Sequence, residues 1–480
     1  MKKMNLRQSA VRFIVGLLCL GAGAALQPAL RAQALGEAEL QTLRQSFDKD
    51  ASTRAIQNVL TQDANIKANA LNRERQGKID HFFKYRVDVK GITDQKRSGR
   101  CWMFTSLNTL RPLVMKKYNL DAFDFSHNYL YFYDMLEKSN LFLENMIRTA
   151  DRDQDDREVV TFFQNPVNDG GVWNLYYNVA SKYGLVPAEV MPETEHANAT
   201  SQMVSLLNER LRKGGMEIRK AAAQAAADQL DAAPTETVLR NIKMATLKDV
   251  YRILSLCLGE PPVTFTWRYK TKDGDIKALT DYTPMRFYEE VVPADFTPDQ
   301  YVMIMHDPTR PYYQMYDIAN YRNTYEGLNW VYLNLPLEDI KKAALASIKA
   351  NEPLYTSSDV TKQFQSDAGL LDTMLYDYNS LFGVDFTMEK KDRILSRQSG
   401  SAHAMLLIGC DTDGKDNPVK WEFENSWGAN AGHNGYLTFT DGWFNEYMFR
   451  FVINKKYLDS KALKALKTTP AALPVWDYMF

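Results

Sequence analysis

Gln95-Lys96-Arg97-Ser98-Gly99-Arg100-Cys101-Trp102-Met103-Phe104 is a polar, glycine-containing turn that delivers a cysteine to the first position of an apolar-periodic run reaching Leu110. The run predicts a helix that starts at Cys101. Backbone N–H groups point outward there and the helix dipole favours an anion, so the setting lowers a thiol pKa and favours the thiolate. Gln95, upstream in the same turn, is expected to bring a side-chain amide to the point where an oxyanion would form.

A cysteine nucleophile needs a base, and the base needs a group to orient it. Of six histidines, His403 stands out, because the small-residue turn Gly400-Ser401-Ala402 leads through it into the apolar strand Met405 to Cys410. A second strand, Trp421 to Asn425, carries an amide at its end that can accept the histidine N–H. Cysteine, histidine and asparagine, each at an element boundary, are the parts of a thiol protease relay. The expected resting state is a Cys101 thiolate beside a His403 imidazolium. Trp427 reads equally as core or as a shield over the His403–Asn425 bond, and His433 reads as a loop residue.

Gln-x-x-x-Gly-x-Cys-Trp at Gln95 to Trp102, Ala402-His403-Ala404 and Glu424-Asn425-Ser426-Trp427-Gly428 resemble the signature of papain-like cysteine peptidases. Ser98-Gly99-Arg100-Cys101-Trp102 is similar to the variant of the bleomycin hydrolase and aminopeptidase C family, C1B type. Asp169-Gly170-Gly171-x-Trp173, Lys182-Tyr183-Gly184 and Leu473-Pro474-x-Trp476-Asp477 agree with that branch, in family order from about Phe82 onward. The resemblance implies an α+β, papain-like fold: a helical half and a β-barrel-like half, with helical and hook-like insertions. It implies thiol-dependent hydrolysis of peptide bonds, most readily the removal of N-terminal residues. By residues alone Gly170-Gly171 reads equally as a tight turn or as a rail for an extended peptide; the resemblance makes it substrate-binding. It also implies a homohexamer, and a C-terminal tail that lies in the cleft and makes Phe480 a gate. Tyr478 replaces the proline usual in the family, and the family usually continues past this point. That makes dipeptidyl-type or endopeptidase specificity the alternative, with a non-catalytic hexameric binding protein behind it.

The expected organisation is a signal peptide at 1–34, an N-terminal helical extension at 35–80 packed outside the catalytic domain, and a helical half with Cys101 at 81–190. An insertion at 191–345, a β half with His403 and Asn425 at 346–460 and a tail at 461–480 complete it. Lys2, Lys3, Arg7 and Arg12 ahead of the apolar run Phe13 to Leu26, then Ala32-Gln33-Ala34, predict export to the periplasm or beyond, with an uncleaved anchor as the competing reading. No stable membrane span is expected after cleavage. Gly214-Gly215 and Ala233-Pro234 are expected to divide the alanine-rich stretch from Glu193 to Leu258 into separate helices. A net charge of −1 gives no attraction to nucleic acid, so peptides are the expected partners. Cofactors are not expected: the cysteine spacings fit no zinc site, and Asp151 to Asp156 lacks the glycine and distal glutamate of a calcium loop. Cys257 and Cys410 read as buried thiols rather than as a disulfide.

Overall fold

The computed structural model describes residues 34–479, in one unit up to Ile66 and another from Lys67 onward. The expected signal segment up to Gln33, and Phe480, lie outside the described residues. No helix among the described residues is long and apolar enough to cross a membrane. The first unit carries helices Glu37–Ser46 and Ala51–Leu60, the latter capped by the Asp50 carboxylate accepting from the Thr53 N–H at 2.6 Å.

The second unit has a helical part and a sheet part; one apolar core joins the helices to sheet residues such as Met305, Tyr332 and Tyr355, and another joins sheet residues to the helix Leu337–Lys349. The helix that begins at Cys101 runs on to Tyr118, ending where Asn119 turns left-handed with φ 53°. Ser126 caps the next helix, His127–Arg148, by accepting from the Tyr129 N–H at 3.1 Å. Tyr129, Tyr131 and Phe132 are fully buried on it. Helix Trp173–Tyr183 starts directly after the Gly170-Gly171-Val172 run.

The alanine-rich stretch corrects one expectation. Gly214 and Gly215 sit inside an unbroken helix, Ser201–Ala227; the break before the next helix, Ala232–Leu258, falls at residues 228–231, and Pro234 stands in the first turn of that second helix. These glycines permit close helix packing instead of ending a helix. A Cβ on Gly214 would meet Thr246 Oγ1 at 2.5 Å, and one on Gly215 would meet Met146 and Phe142 at 3.1 Å. Gly214→Ala is therefore expected to cost about 1–3 kcal/mol from overpacking, despite alanine's better helix propensity. Denaturant titration checks this; a stabilised variant would contradict it.

The sheet is built around His403–Thr412, which pairs antiparallel with Leu354–Ser358 on one side and Pro418–Glu424 on the other. Tyr436–Thr440 and Met448–Asn454 extend it. It also takes in strands on the N-terminal side of the boundary expected at 345/346. Tyr301–Met305 pairs with Met448–Asn454, followed by Val331–Asn334 and Gln314–Ile318. Strand pairing joins residues remote in sequence, so the run from 262 to 335 announces strands without announcing which sheet receives them. Within that run, Phe265–Lys270 and Ile276–Tyr282 form a separate hairpin. The tail strand Ala471–Leu473 docks in parallel on Gln314–Ile318, the outermost pairing on its side.

Candidate active site

The backbone brings the boundary residues together. Leu406 lies opposite Glu424 in the central ladder, and continuing that register sets His403 opposite Trp427. Their ring centroids are 4.6 Å apart. Asn425 follows the last residue of its strand, and its Oδ1 lies 2.8 Å from His403 Nε2. The same Oδ1 accepts the Ser426 N–H at 2.8 Å, which fixes the amide orientation. An oxygen facing Nε2 makes Nε2 the donor, so Nδ1 is left as the base.

Cys101 sits in the first turn of its helix, with the Ala404 N–H directed at its Sγ over 3.5 Å. That contact joins the cysteine helix to the histidine strand. Cys101 and His403 line one cleft of about 690 Å³, together with Gln95, Gly170 and Gly171. Gln95 is buried; its Nε2 donates to Ser98 O at 2.5 Å, using one of the two amide hydrogens, while its Oε1 accepts from Ser426 Oγ at 2.7 Å. The Gln95 N–H bonds Ser426 O at 2.9 Å, tying the turn to the asparagine segment. Gly171 is required where it stands, because a Cβ there would lie 2.6 Å from the Trp102 indole.

The electrostatics differ from the expected ion pair. Burial pushes the Cys101 thiol up to about 11, against smaller opposing contributions from the N–H groups of Ala404 and Trp102. Burial pulls the His403 imidazole down to about 4, with the Asn425 bond opposing. Each group in this closed setting favours its neutral form, because desolvation outweighs the helix terminus.

The supporting residues were not legible as site residues from sequence. Lys138, on the aromatic helix, donates to Asn168 O at 2.8 Å and Gly170 O at 2.7 Å while pairing with Asp134 at 2.7 Å. It fixes the glycine run from beneath; the signal was an acid–base pair one turn apart inside a helix that is otherwise buried. Asp169 accepts the Gly99 N–H at 2.6 Å and bonds Thr200, holding the turn before Cys101. Arg100 is buried and grips Glu193 through both terminal nitrogens, at 3.2 and 2.7 Å. Arg450, the lone charge in strand Met448–Asn454, lines the cleft and donates to Met479 O. Val475 lines the same cleft, and Asp477 is held by Arg310.

A sequence profile of the Peptidase C1-like family matches residues 34–480. The chain belongs to the Peptidase C1-like family. Among its relatives, mouse bleomycin hydrolase is 35% identical over 457 residues, covering 93% of this chain and 98% of that one. Aminopeptidase C of Lactobacillus helveticus is 35% identical over 442 residues, covering 90% of this chain and 96% of that one. The crystal structure of PepW from Lactobacillus rhamnosis superposes with a TM-score of 0.87 at 34% identity, covering 93% and 98% of the two chains. The family membership makes the chain a thiol peptidase with a papain-like fold, acting on peptides. Cys101, Cys257 and Cys410 are all free thiols, so the disulfide alternative falls away. No cluster of metal-ligating side chains occurs among the described residues. His433 stacks on His81 with centroids 3.9 Å apart.

Proposed function

We propose that this peptidase removes N-terminal residues from peptides through Cys101, His403 and Asn425. The observation that carries the reading is one cleft lined by both Cys101 and His403, with Asn425 bonded to the far side of the ring. Substrate entry transfers the Cys101 proton to His403 Nδ1, and the thiolate attacks the scissile carbonyl. Gln95 and the Cys101 N–H receive the oxyanion. His403 returns the proton to the leaving amine, and the thioester is then hydrolysed by water that His403 activates. Gly170 and Gly171 pair with the substrate backbone, and Trp427 keeps water from the His403–Asn425 bond.

Exopeptidase action is supported by the tail, whose Val475 lines the cleft and whose Met479 carbonyl is held there by Arg450. Relatives named aminopeptidase C and aminopeptidase G point the same way. Phe480 is the proposed gate. Free and Nα-acetylated fluorogenic peptides test the reading: the free peptides are expected to be turned over at least about tenfold faster. Deleting Tyr478 to Phe480 should collapse that ratio toward one. Equal turnover of both by the intact enzyme would instead establish the endopeptidase alternative, and release of dipeptides from the free peptides alone would establish the dipeptidyl one. Export under the N-terminal segment and assembly as a homohexamer belong to the same proposal, and light scattering of the purified protein checks the subunit count.

A further inference from the structure

The cleft that holds Cys101 and His403 is lined by three cations, Lys138, Arg322 and Arg450, and by no aspartate or glutamate. Two of the three are engaged. Lys138 is spent on Asp134 and on the carbonyls of Asn168 and Gly170. Arg450 donates to Met479 O and lies 5.4 Å from the ring centroids of both Tyr321 and Trp330. Arg322 differs. It is half-buried, lies 5.9 Å from the ring centroid of Tyr325, pairs with no carboxylate among the described residues, and its Nε is buried without a partner. Glu326 lies within its field but is held by Lys182 at 2.5 Å.

The backbone around Arg322 is fixed. Asn174 Nδ2 donates to Tyr321 O at 2.9 Å and Leu328 O at 2.8 Å. Asn323 Nδ2 donates to Asp134 Oδ1 and to Leu175 O, both at 2.9 Å. Asp134 is also the partner of Lys138, whose Nζ grips Gly170 O. Arg322 therefore shares its supports with the glycine run, the side of the cleft that takes the residue N-terminal to the scissile bond under the reading above. A guanidinium offers a planar fork of donors matched to a carboxylate, and partial burial strengthens such a pair.

Resting on that peptidase reading, we propose that Arg322 binds the side-chain carboxylate of an acidic residue on the N-terminal side of the scissile bond, so that acidic peptides are the preferred substrate class. It is a specificity residue, absent from the bond-breaking steps.

The test compares matched peptides carrying Glu or Gln at that position, Glu moved to the C-terminal side, and a C-terminal amide in place of the acid. In the wild type, kcat/KM should favour Glu over Gln by about tenfold. The ratio should fall to near one in Arg322→Gln and stay intermediate in Arg322→Lys. In Arg322→Glu, Lys should be preferred over Gln. Ratios within one variant cancel general losses of activity, and thermal melting verifies that each variant is folded. Calorimetric binding of the Glu and Gln peptides to the Cys101→Ala protein gives the same comparison without turnover. If nothing is hydrolysed the peptidase reading fails, and the binding ratio still decides this one. Equal Glu and Gln values, a preference that survives Arg322→Gln, or one that follows the C-terminal-side or terminal carboxylate would overturn it.

Discussion

Cys101→Ala is expected to lower kcat/KM by about 10⁴- to 10⁶-fold, with His403→Ala of the same order and the double variant scarcely worse. The two side chains act as one unit, so removing either removes the step both serve. The pH dependence follows from their burial. Neutral thiol with neutral imidazole, and thiolate with imidazolium, hold the same number of protons, so pH does not shift the balance between them. A second proton binds only as pH falls toward about 4, where His403 titrates. The last proton leaves only as pH rises toward about 11, where Cys101 titrates. Inactivation by iodoacetamide, which alkylates the thiolate and has no titrating amine of its own, should therefore rise with pH through the neutral range toward about 11, wherever the fold persists. An acid limb near the ordinary histidine value would show that His403 is solvated as turnover begins. Turnover surviving Cys101→Ala would end the thiol mechanism.

The proposed catalytic side chains stood out in the sequence because each marks a place where local structure changes. Cys101 follows a glycine turn and opens a helix, His403 opens a strand, and Asn425 follows the end of one. The helix Leu337–Lys349 shows the same kind of local signal, with Glu338 and Asp339 in its first turn. What stayed hidden depends on contacts distant in sequence. Gly214-Gly215 reads locally as a helix breaker, and only Thr246, Met146 and Phe142 packed against it reveal a crossing point. Lys138 and Arg450 look like exposed charges until their partners, Gly170 O and Met479 O, are known. The upward push of burial on the Cys101 thiol stayed hidden for a related reason. A helix start is visible in sequence, but the depth at which the sulfur is buried is not.

Arg111→Met is expected to cost about 3–5 kcal/mol of stability at pH 8, because it strands a buried carboxylate. Arg111 stands on the cysteine helix, and its Nη2 donates to Glu424 Oε1 at 2.7 Å and to Gly91 O at 2.8 Å. Asn108, one turn earlier, donates to the same Glu424 oxygen at 2.9 Å and to Thr93 Oγ1 at 3.1 Å. Glu424 immediately precedes Asn425, so this network joins the helix that begins at Cys101 to the strand end that leads into Asn425. Burial lifts the Glu424 carboxyl from 4.5 to about 7, with Arg111 pulling the other way. A folded-state pKa above the unfolded one means that the native state binds the extra proton. The contribution to stability is thus fully present below about 4.5 and is lost as pH rises through about 7. At pH 5 the stranded group in Arg111→Met would be a neutral carboxyl, so the cost should shrink there. Replacing both partners, as Arg111→Met with Glu424→Leu, should recover most of the loss at pH 8, since no buried charge remains. Denaturant titrations of the three proteins at the two pH values decide the matter: a cost equal at pH 5 and 8, or a double variant no better than the single, would refute it. In the folded fraction of Arg111→Met, kcat should fall more than KM rises, because the network sets the reach between Cys101 and His403 and touches no substrate.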